Sequence, residues 1–536
     1  MTMTCGEATM RLLARYGVTT VFGIPGVHTL DMCRGLSGGG NAGAIAHVQT
    51  RNEQGAGFMA EGWARATGEV GVAVVISGPG VTNAATALGQ CYADSLPMLL
   101  ISAEAASYTI GKGWGVLHEV TEQKRATEPL TAFSATAHRA ADVPELLARA
   151  FSVFASARPR PVHISIPIDV QAEQVDELWQ PIALPGRPLF APAQIEAAAD
   201  MLRTAARPVV MVGGGAADAA TDLREIVDSL GAVVVASTAG KGIVPDDHPL
   251  SLSASTVRPE VQRFLSEADV ILAVGTELSE TDSFVERMDL KGQIIRVDID
   301  PSKIGDVYPA ALGIVSDAAP AMADLRRALT GHAAKDRAGA ESRVASLRAE
   351  IAGNLSRSET QHAALLTLLD RIAPEGTIWS GDACQLVYTG AFAFPARAPR
   401  RWFYPAGYCA LGNALPNGIG AKLAQPDAPV VVLAGDGGFM FTVQELVTAA
   451  ELRLPIPIVV WENGGLKQIQ DDMDGRDIAR VGVEGINPDF AALACACHCN
   501  GVYADSEETF TSAFETALRA DRPTVIVVKE NDPWLM

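Results

Sequence analysis

The chain has 536 residues, 48% of them hydrophobic and 19% charged, with a formal net charge of −20. This composition fills several buried cores and excludes a disordered chain. The charge disfavours nucleic acid and anionic membrane surfaces as partners and suits a neutral or cationic small molecule better.

At roughly 100–200 residues per domain, the length predicts three domains. No apolar run approaches the roughly 18 residues of a membrane span. Residues 1–10 lack a basic start followed by an apolar core, and the eight cysteines are too scattered for a disulfide framework. A cytoplasmic protein is expected.

Along the chain, a β-branched run, a glycine turn and a helical stretch recur. Residues 72–77 read as a strand ending at Gly78-Pro79-Gly80, and 162–168 as another. The stretch 180–192, with prolines at 181, 185, 188 and 192, reads as a linker. Residues 208–212 lead into Gly213-Gly214-Gly215 and a helical stretch to Leu230, and 270–274 end at Gly275-Thr276. A less distinct linker falls in the charged, alanine-rich region 331–358. Then 430–434 end at Gly435, 442–452 read as a helix, and 456–461 end at Glu462-Asn463. The alternation predicts an α/β protein of three doubly wound parallel-sheet domains, over residues 1–175, 190–330 and 355–536.

The strongest chemical signal is Gly435-Asp436-Gly437-Gly438 followed by Asn463-Gly464-Gly465. Each string follows a strand, which places both at the carboxyl edge of one parallel sheet, where such sheets bind ligands. A hard divalent cation such as Mg²⁺ takes oxygen donors. The Asp436 carboxylate, the Asn463 amide and the Gly465 carbonyl supply three. Gly435, Gly437 and Gly438 let the main chain approach a diphosphate and point N–H groups at it. Gly-Asp-Gly alone is common by chance; its pairing with Asn-Gly-Gly carries the reading.

With these strings the sequence resembles the thiamine diphosphate enzymes of the acetolactate synthase and pyruvate decarboxylase type, over essentially its whole length. The resemblance implies a pyrimidine-binding domain, a central Rossmann-like domain and a diphosphate-binding domain. It implies thiamine diphosphate and Mg²⁺ as cofactors, and a homodimer or homotetramer whose active sites lie between subunits. Arg51-Asn52-Glu53-Gln54-Gly55 and Ser77-Gly78-Pro79-Gly80-Val81-Thr82-Asn83 are similar to the family's activating-glutamate helix and pyrimidine loop. Glu53 thus takes the acid–base role on the aminopyrimidine, with Asn83 in the cofactor loop. Cys409-Ala410-Leu411-Gly412 resembles the segment that bends the cofactor, with Leu411 as wedge and the Cys409 carbonyl facing the pyrimidine amine. Asp382-Ala383-Cys384-Gln385 resembles a diphosphate loop, which points to Gln385. The sequence departs from the family in having Asn52 and Leu386 where histidines are frequent.

Within the family, Ile168 replaces the lysine of acetolactate synthases, His118 replaces their glutamine, and Pro25-Gly26-Val27-His28-Thr29 replaces a small-residue turn. His28 and His118 therefore suit proton delivery to a decarboxylated product. The strings 22–30 and 53–60 resemble those of 5-guanidino-2-oxopentanoate (2-ketoarginine) decarboxylases. This implies non-oxidative decarboxylation of a 2-oxo acid with a guanidinium tail. Val27, Asp471 and Asp472 are the candidate substrate residues, with Asp474 in the same acidic cluster, and Glu277, Glu280 and Asp282 form a second acidic group. The rival readings are an acetolactate synthase-like carboligase and a non-catalytic thiamine-fold subunit. Cys495-Ala496-Cys497-His498-Cys499 is read as buried thiols rather than a zinc site, because its spacing does not converge on one metal. Gly213-Gly214-Gly215 alone is a weak dinucleotide signal, and a central domain without a ligand is expected.

Overall fold

The computed structural model describes residues 2–38 and 41–536; Met1, where the first expected domain begins, lies outside them. Three parallel sheets follow one another along the chain. The first contains β1 (Thr20–Gly23), β2 (Leu36–Gly38), β3 (Asn41–Ala42), β4 (Ile45–Gln49), β5 (Gly71–Val75), β6 (Met98–Glu104), β7 (Phe133–Thr136) and β8 (Val162–Pro167). Their order is β3-β2-β4-β1-β5-β6-β8-β7, parallel except where β3 meets β2. Helix α1 (Glu53–Thr67) precedes β5 and α2 (Pro79–Ala93) follows it. Local chemistry sets both ends of α1. The Asn52 side chain accepts from the Gln54 N–H, and Gly68 stops the helix with φ +78°.

Residues 178–191 form no helix or strand. The second sheet then contains β9 (Pro208–Val212), β10 (Val233–Ala236), β11 (Val270–Val274), β12 (Gln293–Asp298) and β13 (Leu312–Val315), ordered β10-β9-β11-β12-β13 and wholly parallel. Helices α3 (Arg337–Gly353) and α4 (Arg357–Ile372) lead to the third sheet. Ala340, Val344 and Ile351 of α3 bury against the second core, and Leu365, Leu366 and Leu369 of α4 against the third.

The third sheet contains β14 (Ile378–Gly381), β15 (Trp402–Phe403), β16 (Val430–Gly435), β17 (Pro457–Glu462), β18 (Asn500–Tyr503) and β19 (Thr524–Lys529), ordered β15-β14-β16-β17-β19-β18 and parallel throughout. Helix α5 (Ala414–Ala424) precedes β16, and α6 (Glu445–Glu451) joins β16 to β17. This joining helix is shorter than 442–452, because residues 440–444 are spent on the turn out of Asp436. Helix α7 (Lys467–Asp474) follows Asn463-Gly464-Gly465.

The first and third sheets share one core, in which Phe22, Met59 and Val75 meet Leu415, Val432 and Leu446. At its centre α5 crosses α1 backbone to backbone. A Cβ on Gly62 would lie 2.1 Å from the Asn417 carbonyl oxygen, and one on Gly420 would lie 2.0 Å from that of Met59. Side chains at these positions would force the two helices apart.

Candidate active site

The first half of the site lies at the carboxyl edge of the first sheet. Glu53 opens α1 and is buried; its Oε2 accepts a 2.9 Å hydrogen bond from the Asn83 amide on α2. The turn between β5 and α2 runs alongside. Gly78 has φ +60° and ψ −107°, a conformation open to glycine. Its N–H donates to Gln123 Oε1 at 2.7 Å. Gln123 is itself buried and donates to Ser165 Oγ (2.6 Å), the Ala103 carbonyl (2.8 Å) and Ser102 Oγ (3.1 Å). A fully bonded polar network thus stands behind the turn.

His28 and His118 meet here. Their ring centroids are 5.2 Å apart, edge to face. His28 is buried, and its Nδ1 pairs with Ser77 Oγ at 2.5 Å, which leaves Nε2 for other chemistry. Burial first, and the neighbouring His118 second, hold the His28 pKa below the ordinary histidine value. His118 sits in the left-handed region at φ +60°, and its buried Nδ1 has no hydrogen-bond partner among the described residues. Val27, by contrast, is 63% exposed.

The second half lies at the carboxyl edge of the third sheet. Asp436 is buried after β16. Its Oδ1 accepts from the Gly437 N–H at 2.7 Å, and Oδ2 accepts from the N–H groups of Asn463 (3.2 Å), Gly464 (2.8 Å) and Gly465 (3.1 Å). The Asp436 and Asn463 strings, 27 residues apart, are therefore one constellation. Asn487 Nδ2 adds a fourth donor to Oδ2 at 2.8 Å, and also reaches Glu462 Oε1 at 3.3 Å.

Asp382, at the end of β14, is fully buried; it accepts from the Gly412 N–H at 3.0 Å to either oxygen and from Ala383 at 2.8 Å. It thereby ties the Cys409–Gly412 segment to the Asp436 turn, where a Cβ on Gly438 would lie 3.0 Å from its Oδ2. In that segment Cys409 is exposed at φ +54° and Leu411 is half-buried. Burial pushes the Asp382 carboxyl up to about 7, against the backbone donors that pull it down. A carboxyl with a raised folded-state pKa holds its proton more tightly when folded. Its contribution is present below about pH 4 and is lost as pH rises toward 7. Urea-unfolding free energy should therefore fall over that window, and Asp382→Asn should flatten the fall. An unchanged slope in the variant would contradict this account.

Gln385 donates to Asp471 Oδ2 at 2.9 Å and to Gln468 Oε1 at 3.2 Å, so it joins α7 to the diphosphate-loop candidate. Asp471 also pairs with Lys467, whereas Asp472 meets Gln468 Nε2 at 3.4 Å. Both aspartates are exposed. Two members of the second acidic group are committed elsewhere: Glu277 pairs with Arg158 and Lys303, and Asp282 accepts from Thr238 and Ser279, whereas Glu280 is exposed. Two of the three clustered cysteines depart from the expected burial. Cys499 is buried, Cys497 is half-buried and Cys495 is exposed, because residues two apart at a helix end point in different directions.

Four residues of the site had no role in the sequence reading. Ser77 and Asp382 lay inside strings already singled out, but only the fold shows what their side chains meet. Gln123 and Asn487 stand in no motif, and their partners lie 20 to 51 residues away.

Three thiamine pyrophosphate enzyme family models match the chain: the N-terminal TPP-binding domain over residues 3–126, the central domain over 195–325 and the C-terminal TPP-binding domain over 382–528. The chain belongs to the thiamine pyrophosphate enzymes. It is 50% identical to a probable 2-ketoarginine decarboxylase of Pseudomonas aeruginosa, over 93% of this chain and 89% of that protein. It is 32% identical to the large subunit of acetolactate synthase isozyme 3 of Escherichia coli, over 97% and 93%. It is 31% identical to a probable acetolactate synthase large subunit of Methanocaldococcus jannaschii, over 97% and 90%. No helix among the described residues is long and apolar enough to cross a membrane.

The residues present suit the cofactor. The Asp436 carboxylate, the Asn463 side-chain amide and the Gly465 carbonyl, which also accepts from the Lys467 N–H at 2.9 Å, are oxygen donors of the kind a hard divalent cation takes. Glu53 beside the Gly78–Gly80 turn suits a protonated heterocycle.

Proposed function

We propose that this chain catalyses the thiamine diphosphate- and Mg²⁺-dependent, non-oxidative decarboxylation of a 2-oxo acid to the aldehyde, with 5-guanidino-2-oxopentanoate as the preferred substrate. The observation that carries the decarboxylase reading is the His28–His118 pair, 5.2 Å between ring centroids, in the unit that holds Glu53. Two imidazoles there supply a proton where a decarboxylated product needs one. The guanidino substrate rests on the 50% identity to the probable 2-ketoarginine decarboxylase.

Thiamine diphosphate, when bound, supplies the nucleophilic carbon and the electron sink for cleaving the bond beside the carbonyl. Asp436, Asn463 and the Gly465 carbonyl hold Mg²⁺. Gly435, Gly437, Gly438 and Gln385 line the diphosphate. Asn83, Leu411 and the Cys409 carbonyl orient the pyrimidine end, where Glu53 accepts and returns a proton. Ser77, bonded to Nδ1, leaves His28 Nε2 to deliver a proton to the product. On α7, Asp472 is the freer carboxylate for a guanidinium, since Asp471 already serves Lys467 and Gln385. Val27, exposed next to His28, is a further substrate contact. Glu53 and Asp436 serve one cofactor across the interface of a homodimer or homotetramer, in the cytoplasm.

The test is a product-resolved substrate screen of the holoenzyme with 5-guanidino-2-oxopentanoate, pyruvate and benzoylformate. Aldehyde and CO₂ from the guanidino acid, at the highest kcat/KM of the three, is the expected result. Preference for pyruvate, with acetolactate or acetoin as product, would make the enzyme a carboligase and remove the proton-delivery role from the histidines.

A further inference from the structure

We infer that Glu445 is a positioning residue for Glu53, acting through the two peptide N–H groups that precede it; the inference rests on the acid–base role proposed above for Glu53. Glu445 opens α6, in the unit that carries Asp436, and is completely buried. Its Oε1 accepts from the N–H groups of Arg51 (3.0 Å) and Asn52 (3.1 Å), and its Oε2 lies 3.3 Å from the Arg51 N–H. Thr448 Oγ1, one turn along α6, donates to Oε2 at 2.8 Å and fixes the carboxylate. The Arg51 guanidinium meets Glu451 at the far end of α6 at 2.7 Å, so one short helix grips this loop at two points.

The contact is built into the sequence of α1 as well. A Cβ on Gly55 would lie 2.4 Å from Glu445 Oε1, so the carboxylate occupies the space that a side chain at 55 would fill. Glu53 is then held at both ends. Its backbone is set by the peptides bonded to Glu445, and its Oε2 is set by Asn83, which leaves Oε1 beside Gly80, where a Cβ would lie 3.6 Å away. Acid–base catalysis demands such placement, since a shift of an ångström in a reacting group lowers the rate steeply. An amide at 445 keeps one acceptor oxygen for the Arg51 and Asn52 N–H groups but loses the charge that strengthens both bonds, and it turns an NH₂ toward the Arg51 N–H where Oε2 now lies, so its hold on the loop loosens. The unit that carries the metal-site residues thus also sets the acid on the neighbouring unit of the same chain.

The experiment uses the holoenzyme with thiamine diphosphate and Mg²⁺. It measures exchange of the cofactor C2 proton with deuterium by rapid quench and NMR, beside cofactor affinity and urea-unfolding midpoint. In Glu445→Gln, exchange should slow by about 10–100-fold, with affinity and midpoint near those of the parent. In a Glu53→Gln background, adding Glu445→Gln should change exchange little, because both act through one group. Thr448→Val, a milder change, should slow exchange less in the same direction. Unchanged exchange in the Glu445 and Thr448 variants would overturn the proposal. So would an additive loss in the double variant, or a fall in cofactor affinity that accounts for the whole effect. Undiminished exchange in Glu53→Gln alone would instead sink the role of Glu53 itself.

Discussion

Glu53→Gln should lower holoenzyme turnover by about 10²–10⁴-fold, the range that a placed proton-transfer group contributes, without loss of fold. The amide has nearly the shape of the acid, and its oxygen still accepts the Asn83 hydrogen bond that now spans 2.9 Å. The helix start does not depend on the Glu53 side chain, because Asn52 caps α1 and Glu445 takes the preceding N–H groups. What the amide lacks is the capacity to take up and return a proton. Steady-state turnover on the substrate identified by the screen, with cofactor affinity by fluorescence titration, checks this. Turnover within a few-fold of the parent would remove Glu53 from the chemistry.

Lys241→Met should destabilise the protein by about 3–5 kcal/mol, the cost of breaking one side of a buried ion pair. Lys241 is 1% exposed, and its ammonium lies within 2.8 Å of four oxygens: Asp246 Oδ2, Ser253 Oγ and the carbonyls of Ala391 and Phe394. Burial pulls its pKa down and Asp246 pulls it back up. The two carbonyls belong to the third unit, and Asp246 Oδ2 also accepts from the Ala396 N–H at 2.9 Å, so this charge pins the second unit to the third. Methionine fills the volume but leaves Asp246 without its counter-charge, the Phe394 carbonyl without this donor, and the Ala391 carbonyl with Ser253 Oγ at 3.3 Å. Urea unfolding measures the loss, and adding Asp246→Asn should return part of it by removing the uncompensated carboxylate. A loss below about 1 kcal/mol, the scale of an exposed pair, would show that the ammonium carries little of the domain contact.

Much of the architecture is legible in the one-dimensional pattern because parallel strands buried on both faces must be continuous apolar runs. Residues 208–212, 270–274 and 430–434 stand out for that reason, and β9, β11 and β16 lie on them. The Asp436 and Asn463 strings are legible because strand ends in such a sheet converge on one edge. The turn N–H groups around Asp436 Oδ2 are the result.

Contacts between separate elements are another matter. Nothing at Glu445, Gln123 or Lys241 distinguishes these residues in sequence from an ordinary helix acid, a loop amide or a surface lysine. Glu445 reaches partners 393 and 394 residues away. The expected burial of Cys495 failed for the same reason, since which side of a helix end faces a core depends on what packs against it. By itself, then, the sequence determined the α/β class, the three parallel sheets and the strand-end motifs, because these follow from local periodicity and from glycine and turn chemistry. Only the tertiary structure decided which buried polar groups hold the motif residues in place, because each such group takes its burial and its partner from chain segments distant in sequence.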